Sequence, residues 1–67
     1  MNAISRLRKR AEMTQELLAE AMGVRQSTVA MWESGTNMPK ASKLPKLAKI
    51  LDCSIEELLG SDAKEAM

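Results

Sequence analysis

The chain has few of the side chains that carry chemistry: among its 67 residues there is no histidine, tyrosine or phenylalanine, and there is one cysteine. Since Cys53 has no second thiol and no imidazole to join, no cluster has metal-ligand spacing and no cysteine–histidine or serine–histidine pair is available for nucleophilic catalysis. Without phenylalanine and tyrosine there is no aromatic platform on which single-stranded bases could stack. We therefore expect no enzyme, no metal and no cofactor.

Disulfides and long apolar runs are also missing. A single cysteine cannot form a bridge within the chain, which favours a reduced, intracellular setting. The basic N-terminal residues are not followed by a continuous apolar stretch, which argues against a signal peptide or a membrane span. We expect a cytoplasmic protein without membrane contact.

The residues that are present favour helices. Two prolines, three glycines and few β-branched residues predict an all-α fold without strands, in a single domain over residues 1–67. The predicted helices span about residues 3–11, 15–22, 26–33, 43–51 and 55–59, and residues 61–67 are expected to fray.

Short polar residues mark where these helices begin. Thr14 is the predicted N-cap of the second helix, and Ser42 is a candidate cap of the fourth. Ser54 and Glu57 have the spacing of a capping box at the start of the fifth. The predicted stop signals are the glycines Gly23, Gly35 and Gly60.

Residues 14–35 read as two short amphipathic helices joined by a tight turn. Gly23 can take the left-handed conformation that ends the first helix. Two apolar stripes with helical spacing flank it, formed by Leu18, Ala19 and Met22 and then by Val24, Thr28 or Val29, and Trp32. This arrangement is typical of a helix-turn-helix. The exposed face of the second helix carries Arg25, Gln26, Ser27, Ala30, Met31 and Ser34, and arginine and glutamine are suited to contacting base edges in a major groove.

The net charge of +1 argues mildly against nucleic-acid binding, but its distribution is uneven. Basic residues lie at Arg6, Arg8, Lys9 and Arg10 and again at Lys40, Lys43, Lys46 and Lys49, whereas five acids follow from Asp52 onward. We interpret this as a basic face, for phosphates, opposed to an acidic tail. The alternative is that the lysines are simply the solvated side of a helix.

One long pattern covers nearly the whole chain. Its elements are Ile4, Leu7-Arg8, Met13-Thr14-Gln15-Glu16, Leu18-Ala19, Gly23-Val24, Ser27-Thr28-Val29, Trp32-Glu33, Gly35, Pro39, Leu44, Leu47-Ala48, Leu51, Ser54 and Leu58-Leu59. It resembles the Cro/repressor-type helix-turn-helix family over residues 3–60. The resemblance implies a five-helix, lambda-repressor-like DNA-binding domain with a central helix-turn-helix.

The resemblance also implies roles for particular residues. Those expected to read bases are Arg25, Gln26, Ser27 and Met31. Those expected at the DNA backbone are Thr14, Gln15, Ser34, Lys40 and Lys43. Gln15 is further expected to brace the third helix, and Arg8 and Glu33 match a structural salt bridge between the first helix and the end of the recognition helix.

The chain departs from the family pattern at three positions. Leu17 stands where glutamate is usual, which breaks the Thr14 capping box and leaves an apolar side chain at the surface. Arg25 replaces the usual serine or threonine cap, and Met31 replaces a position that is often polar. Arg25 has two interpretations. It contacts phosphate or guanine, or it is a neutral substitution that the protein tolerates because losing the cap lowers stability by only about 1 kcal/mol.

Several residues have plain structural interpretations. The spacing of Trp32 predicts a core residue, and Cys53 is expected to be a buried thiol. Ser27 and Thr28 can satisfy local backbone groups, and we favour DNA contact for Ser27 and the local role for Thr28.

We interpret the chain as a sequence-specific, bacterial or phage-encoded regulator of transcription that binds double-stranded DNA. A repressor acting as a homodimer on a pseudo-palindromic operator is favoured, because one recognition helix gives a small interface. The expected self-contact is Ile55, Glu56 and Leu59. The alternative is a protein-interaction module, such as an antitoxin or co-regulator, that uses Leu17, Met31 and the C-terminal tail to contact a protein partner.

Overall fold

The computed structural model of the protein describes residues 3–59, and these form helices without any strand. The elements in chain order are α1 (Ile4–Arg10), α2 (Gln15–Met22), α3 (Gln26–Ser34), a 3-10 turn (Ala41–Lys43), α4 (Leu44–Ile50) and α5 (residues 55–59). The all-α, five-helix prediction is confirmed. The predicted stop at Gly60 and the predicted fraying of residues 61–67 lie outside the described residues.

Local hydrogen bonds explain where α2 and α5 begin. The Thr14 hydroxyl oxygen accepts a bond from the Leu17 amide at 3.0 Å. At the start of α5, the Glu57 amide donates to the Ser54 hydroxyl at 2.9 Å and the Ser54 amide donates to the Glu57 carboxylate at 3.0 Å. Both predicted caps are therefore present, and the second is a full capping box.

The predicted cap at Ser42 is wrong. Ser42 lies inside the 3-10 turn, and Lys43 occupies the N-cap position of α4 without a side-chain capping bond. The Lys43 amide donates to the Lys40 carbonyl at 2.8 Å. A tight backbone turn therefore precedes α4, and no side-chain hydroxyl caps the helix. A proline in the first turn of α4 suits this start, because amides there have no partner within the helix.

The helices end in left-handed residues, as expected at Gly23 and Gly35, where φ is 73° and 83°. Two further ends use residues that strongly prefer other conformations, namely Glu12 after α1 with φ of 60° and Asp52 after α4 with φ of 54°. The Met13 amide donates to the Arg8 carbonyl at 3.1 Å. The bond closes a Schellman motif, and an equivalent bond follows α4. Glu12 therefore holds a strained conformation for the sake of its turn, whereas aspartate tolerates the left-handed region more readily.

One apolar core joins the helices. Its buried members are Ala3, Ile4, Leu7, Leu18, Ala19, Met22, Val29, Trp32, Leu47, Ala48, Leu51 and Leu58. Trp32 is only 3% exposed, which confirms that it is a core residue. Cys53 is partly buried against this cluster, and burial raises the pKa of its thiol. The core contains both stripes of the predicted helix-turn-helix and so fixes α3 across α2.

The described part of the chain contains no helix of the length and apolar character needed to cross a membrane. Within residues 3–59 there is also no group of acidic, cysteine or histidine side chains arranged to hold a metal ion.

Replacing Glu12 with glycine is expected to stabilise the protein by about 1 kcal/mol, because glycine adopts the left-handed conformation without the steric cost of a Cβ. The matched control is Glu20→Gly, which removes the same side chain from an exposed position inside α2 and is expected to destabilise by about the same amount. Urea denaturation followed by Trp32 fluorescence measures both changes. If both variants changed the free energy of unfolding in the same direction, the assignment of strain to Glu12 would be wrong.

Candidate functional site

Polar side chains gather where α2 and α3 begin. Arg25, Gln26 and Ser27 are consecutive and exposed at the start of α3, and Gln15 is the half-buried first residue of α2. Met31 is half-buried further along α3. We call these five residues the α2–α3 surface. It presents guanidinium, amide, hydroxyl and thioether groups side by side, a set able to form both hydrogen bonds and apolar contacts.

Arg25 occupies the N-cap position of α3, and only its backbone takes part in the cap. The residue has extended dihedral angles, φ of −82° and ψ of 154°, and its side chain makes no capping bond. Its carbonyl accepts bonds from the amides of Thr28 at 3.0 Å and Val29 at 3.3 Å. The guanidinium group therefore stays exposed beside the positive end of the helix dipole, where a cation is unfavourable and an anion would be favoured.

A continuous set of hydrogen bonds runs from this surface into the protein. Gln26 Nε2 donates to Gln15 Oε1 at 2.8 Å, and Gln15 Nε2 donates to Glu33 Oε1 at 3.1 Å. Arg8 donates to both carboxylate oxygens of Glu33, through Nε to Oε2 and through Nη2 to Oε1 at 3.0 Å. Arg8 Nη1 also donates to the Met13 carbonyl at 2.7 Å. We call the series Gln26, Gln15, Glu33 and Arg8 the polar relay.

The ion pair at the inner end of the relay is largely out of solvent, with 12% of the Arg8 side chain and 8% of the Glu33 side chain exposed. Burial by itself would raise the pKa of Glu33, but bonds from Arg8 and Gln15 and the charge of Arg8 outweigh it, so the pKa lies below its ordinary value. The bond to Glu33 also raises the pKa of Arg8. The stabilisation from Glu33 is therefore full above the ordinary glutamate pKa and is lost as the pH falls through the lowered value.

Part of the basic charge of α1 is paired with residues at the C-terminal end of the described chain. Arg10 Nη2 donates to the Asp52 carbonyl at 3.0 Å, and Arg10 Nη1 lies 3.5 Å from the Glu57 carboxylate. Backbone bonding by Ser54 lowers the pKa of Glu57, and the charges of Arg10 and Arg6 add to this effect. The Glu57 carboxylate of α5 and Arg10 of α1 therefore partly neutralise each other, and the basic face stays a prediction.

The remaining residues expected at the DNA backbone lie in different local settings. The Thr14 hydroxyl accepts the capping bond of α2, and the Ser34 hydroxyl bonds the Met31 carbonyl at 3.1 Å and lies 2.9 Å from the Thr36 hydroxyl. Lys40 is exposed just before the 3-10 turn, and Lys43 is half-buried at its end.

Apolar side chains are exposed away from the core at a few places. Ile55 is 38% exposed and Leu59 is 48% exposed; they lie four residues apart in α5, with Glu56 exposed beside them. Leu17 is 50% exposed on α2, in agreement with its departure from the family pattern.

The sequence does not reveal how the site is connected. Gln15 is expected from the resemblance to brace the third helix, but its bonds to Gln26 and Glu33 join residues 11 and 18 positions away along the chain. No periodic pattern encodes such bonds. The one signal available in the sequence is that glutamines stand at the first position of both α2 and α3.

Residues 4–58 match the protein-family model described as Helix-turn-helix. Over 62 residues the chain is 34% identical to an uncharacterized HTH-type transcriptional regulator of Archaeoglobus fulgidus, covering 92% of this chain and 87% of that protein. It is 31% identical over 65 residues to the HTH-type transcriptional regulator AnsR of Bacillus subtilis, covering 97% of this chain and 56% of AnsR.

A third relative has a different kind of name. The chain is 37% identical over 59 residues to the antitoxin HigA1 of Mycobacterium tuberculosis, covering 88% of this chain and 40% of HigA1. The chain therefore spans about half or less of the length of AnsR and HigA1. No solved structure matches the chain.

We expect Arg8→Ala to lower the free energy of unfolding by about 3 kcal/mol, because it leaves the Glu33 carboxylate buried without its partner. The matched control is Arg10→Ala, two residues along the same helix. There the ion pair is about half exposed, and we expect a much smaller loss. Thermal and urea denaturation followed by Trp32 fluorescence compare them. Equal losses in the two variants would mean that the buried pair does not hold the fold together.

Proposed function

The chain belongs to the helix-turn-helix family, and on this premise we propose that it is a sequence-specific regulator of transcription that binds double-stranded DNA. The observation that carries the proposal is the exposure of Arg25, Gln26 and Ser27 at the start of α3, with Gln26 held by Gln15. These side chains contribute nothing to the core, and all of them can form hydrogen bonds with base edges or phosphates.

In the proposed complex the first turn of α3 enters the major groove. Gln26 contacts adenine through its amide oxygen and nitrogen, and Arg25 contacts guanine or a phosphate. Ser27 bonds a base edge, and the Met31 thioether makes apolar contact, for which the thymine methyl group is the available partner. Base reading by these four residues is the specific part of the interface.

Residues around the groove contact the sugar-phosphate backbone in this proposal. Gln15 uses the second hydrogen of Nε2 for a phosphate, since the first is bonded to Glu33. Thr14 and Ser34 can donate through their hydroxyl hydrogens, and Lys40 and Lys43 supply positive charge. Such contacts fix the register of the protein on the duplex and make binding depend on salt.

We further propose that residues 1–67 act as one domain that binds a pseudo-palindromic operator as a homodimer and represses transcription. Ile55 and Leu59 lie on one side of α5, exposed together with Glu56, and give an apolar contact for a second copy. Two recognition helices about 34 Å apart then read successive major grooves. A cytoplasmic location in a bacterium, with a bacterial or phage gene, is part of the same proposal.

A second candidate function is a protein-interaction module. It is favoured by the similarity to an antitoxin and by the exposure of Leu17. In this alternative Leu17 and Met31 contact a protein partner. The experiment that separates the two is sedimentation of the chain alone and with a duplex of about 20 base pairs, two half-sites one helical turn apart, chosen by selection from a random pool. A saturable complex with two chains per selected duplex supports the regulator, and failure of the pool to yield a consensus supports the alternative.

Gln26→Ala is expected to lose about 1–3 kcal/mol of discrimination at one base pair in each half-site, because the bidentate contact is gone. Lys40→Ala, the control, is expected to weaken binding to all sequences alike and to reduce the salt dependence. Titration of labelled duplexes at several salt concentrations measures both. An unchanged consensus for Gln26→Ala would show that the α2–α3 surface is misassigned.

Arg25→Ser is expected to change stability and affinity in opposite directions. Serine supplies the missing cap and removes a cation from the helix N-terminus, so the free protein gains about 0.5–1 kcal/mol. Loss of the contact to guanine or phosphate weakens operator binding by about 1–3 kcal/mol. Unfolding followed by Trp32 fluorescence and duplex titration give the two numbers. A variant that is more stable and binds equally well would identify Arg25 as drift.

A further inference from the structure

The direction of each hydrogen bond in the polar relay is fixed from its inner end. A glutamine amide has an oxygen that only accepts and a nitrogen that only donates, whereas an ionised carboxylate only accepts. Glu33 accepts one bond from Arg8 at each carboxylate oxygen, and Oε1 has a further lone pair with which it accepts from its neighbour on α2. Gln15 must therefore turn its nitrogen toward Glu33, as observed at 3.1 Å.

The orientation of the Gln15 amide in turn fixes that of the exposed Gln26 amide. With Nε2 of Gln15 toward Glu33, the Gln15 oxygen faces α3, so Gln26 must present its nitrogen to Gln15, as observed at 2.8 Å. One of the two hydrogens on Gln26 Nε2 is then used within the protein. Gln26 retains one N–H donor and its full oxygen acceptor for anything that binds the α2–α3 surface.

One donor and one acceptor suit only some bases. In the major groove adenine presents an acceptor at N7 and a donor at N6, which matches the groups that Gln26 retains. Guanine presents acceptors at both N7 and O6, which would require two donors. A freely rotating glutamine could supply two N–H groups, but Gln26 has only one left.

We infer that Glu33, acting through Gln15, is a positioning residue that makes Gln26 select adenine over guanine. The inference rests on the proposed function, in which Gln26 reads a base. The ion pair of Arg8 and Glu33 then has a role in specificity in addition to its role in the fold.

The test compares the affinity for two duplexes that differ at the base pair whose preference is lost in Gln26→Ala. One duplex has adenine and the other guanine at that position in each half-site, each with its pairing base. The parent is expected to favour adenine by on the order of tenfold or more. The ratio of the two dissociation constants at fixed salt is the readout, because a merely structural defect weakens binding to both duplexes alike.

Two variants break the relay at different points. Glu33→Gln lets the new amide turn its oxygen to Arg8 and its nitrogen to Gln15, which reverses both glutamines of the relay and frees both N–H groups of Gln26. Gln15→Met removes the acceptor for Gln26 and leaves the ion pair in place, so it keeps the test informative if Glu33→Gln fails to fold. Both are expected to bring the adenine-to-guanine ratio toward unity, whereas the control Lys40→Ala is expected to leave it unchanged.

The double variant Gln15→Glu with Glu33→Gln moves the carboxylate along the relay without changing the net charge. The carboxylate introduced at position 15 can accept from Gln26 whichever way it is turned, and the amide introduced at position 33 can donate to that carboxylate. The adenine preference is expected to return, even if the carboxylate near the phosphates lowers the affinity for both duplexes.

The outcomes separate this inference from the proposed function. If Gln26→Ala leaves the consensus unchanged, base reading by Gln26 is wrong and the inference falls with it. If Gln26→Ala removes the preference while folded Gln15→Met retains the parental ratio, the relay does not set specificity and the proposed function stands. Loss of the ratio in the single variants and its return in the double variant support the inference.

Discussion

The largely buried ion pair between Arg8 and Glu33 is the constraint that the rest of the structure depends on. It joins α1 to the last turn of α3, and the same two side chains also bond the Met13 carbonyl and the amide of Gln15. One carboxylate and one guanidinium thus connect three helices and the segment between the first two. Such a pair adds little net stability over an apolar replacement, but it is costly to break, and it favours one arrangement of the helices over its competitors.

Two of the three arginines of α1 are paired with other residues of the protein. Arg8 is committed to Glu33, and Arg10 is committed to the Asp52 carbonyl and the Glu57 carboxylate. A net charge of only +1 also gives the chain little general attraction to phosphates. Affinity in the proposed function therefore depends on a few short-range contacts near the α2–α3 surface, whose strength varies with the base sequence.

Features encoded by neighbouring residues were predictable from the sequence. The caps at Thr14 and Ser54, the left-handed ends at Gly23 and Gly35, and the burial of Trp32 all follow from local chemistry or helical spacing. The pair of Arg8 and Glu33, which lie 25 positions apart, was expected only from the family resemblance and follows from no local pattern. The turn at Ser42 depends on a backbone hydrogen bond, which no side chain in the sequence indicates.

Other features escaped prediction because they run against residue preference or across the fold. The strained end at Glu12 has a residue type that avoids the left-handed conformation, so the sequence pointed away from it. The bond that Gln26 donates to Gln15 depends on how α2 and α3 cross. The sequence therefore identified the residues of the candidate site more readily than the way in which they act on each other.

The hydrogen bond between Gln26 and Gln15 divides the α2–α3 surface into two kinds of position. Arg25 and Ser27 are exposed and outside the polar relay. Single substitutions at either position could therefore change the DNA target without disturbing the relay. Gln26 cannot change alone without leaving Gln15 to find another partner. Variation at these two positions should then be correlated among descendants of this chain, and an engineer who wishes to retarget the domain should redesign them together.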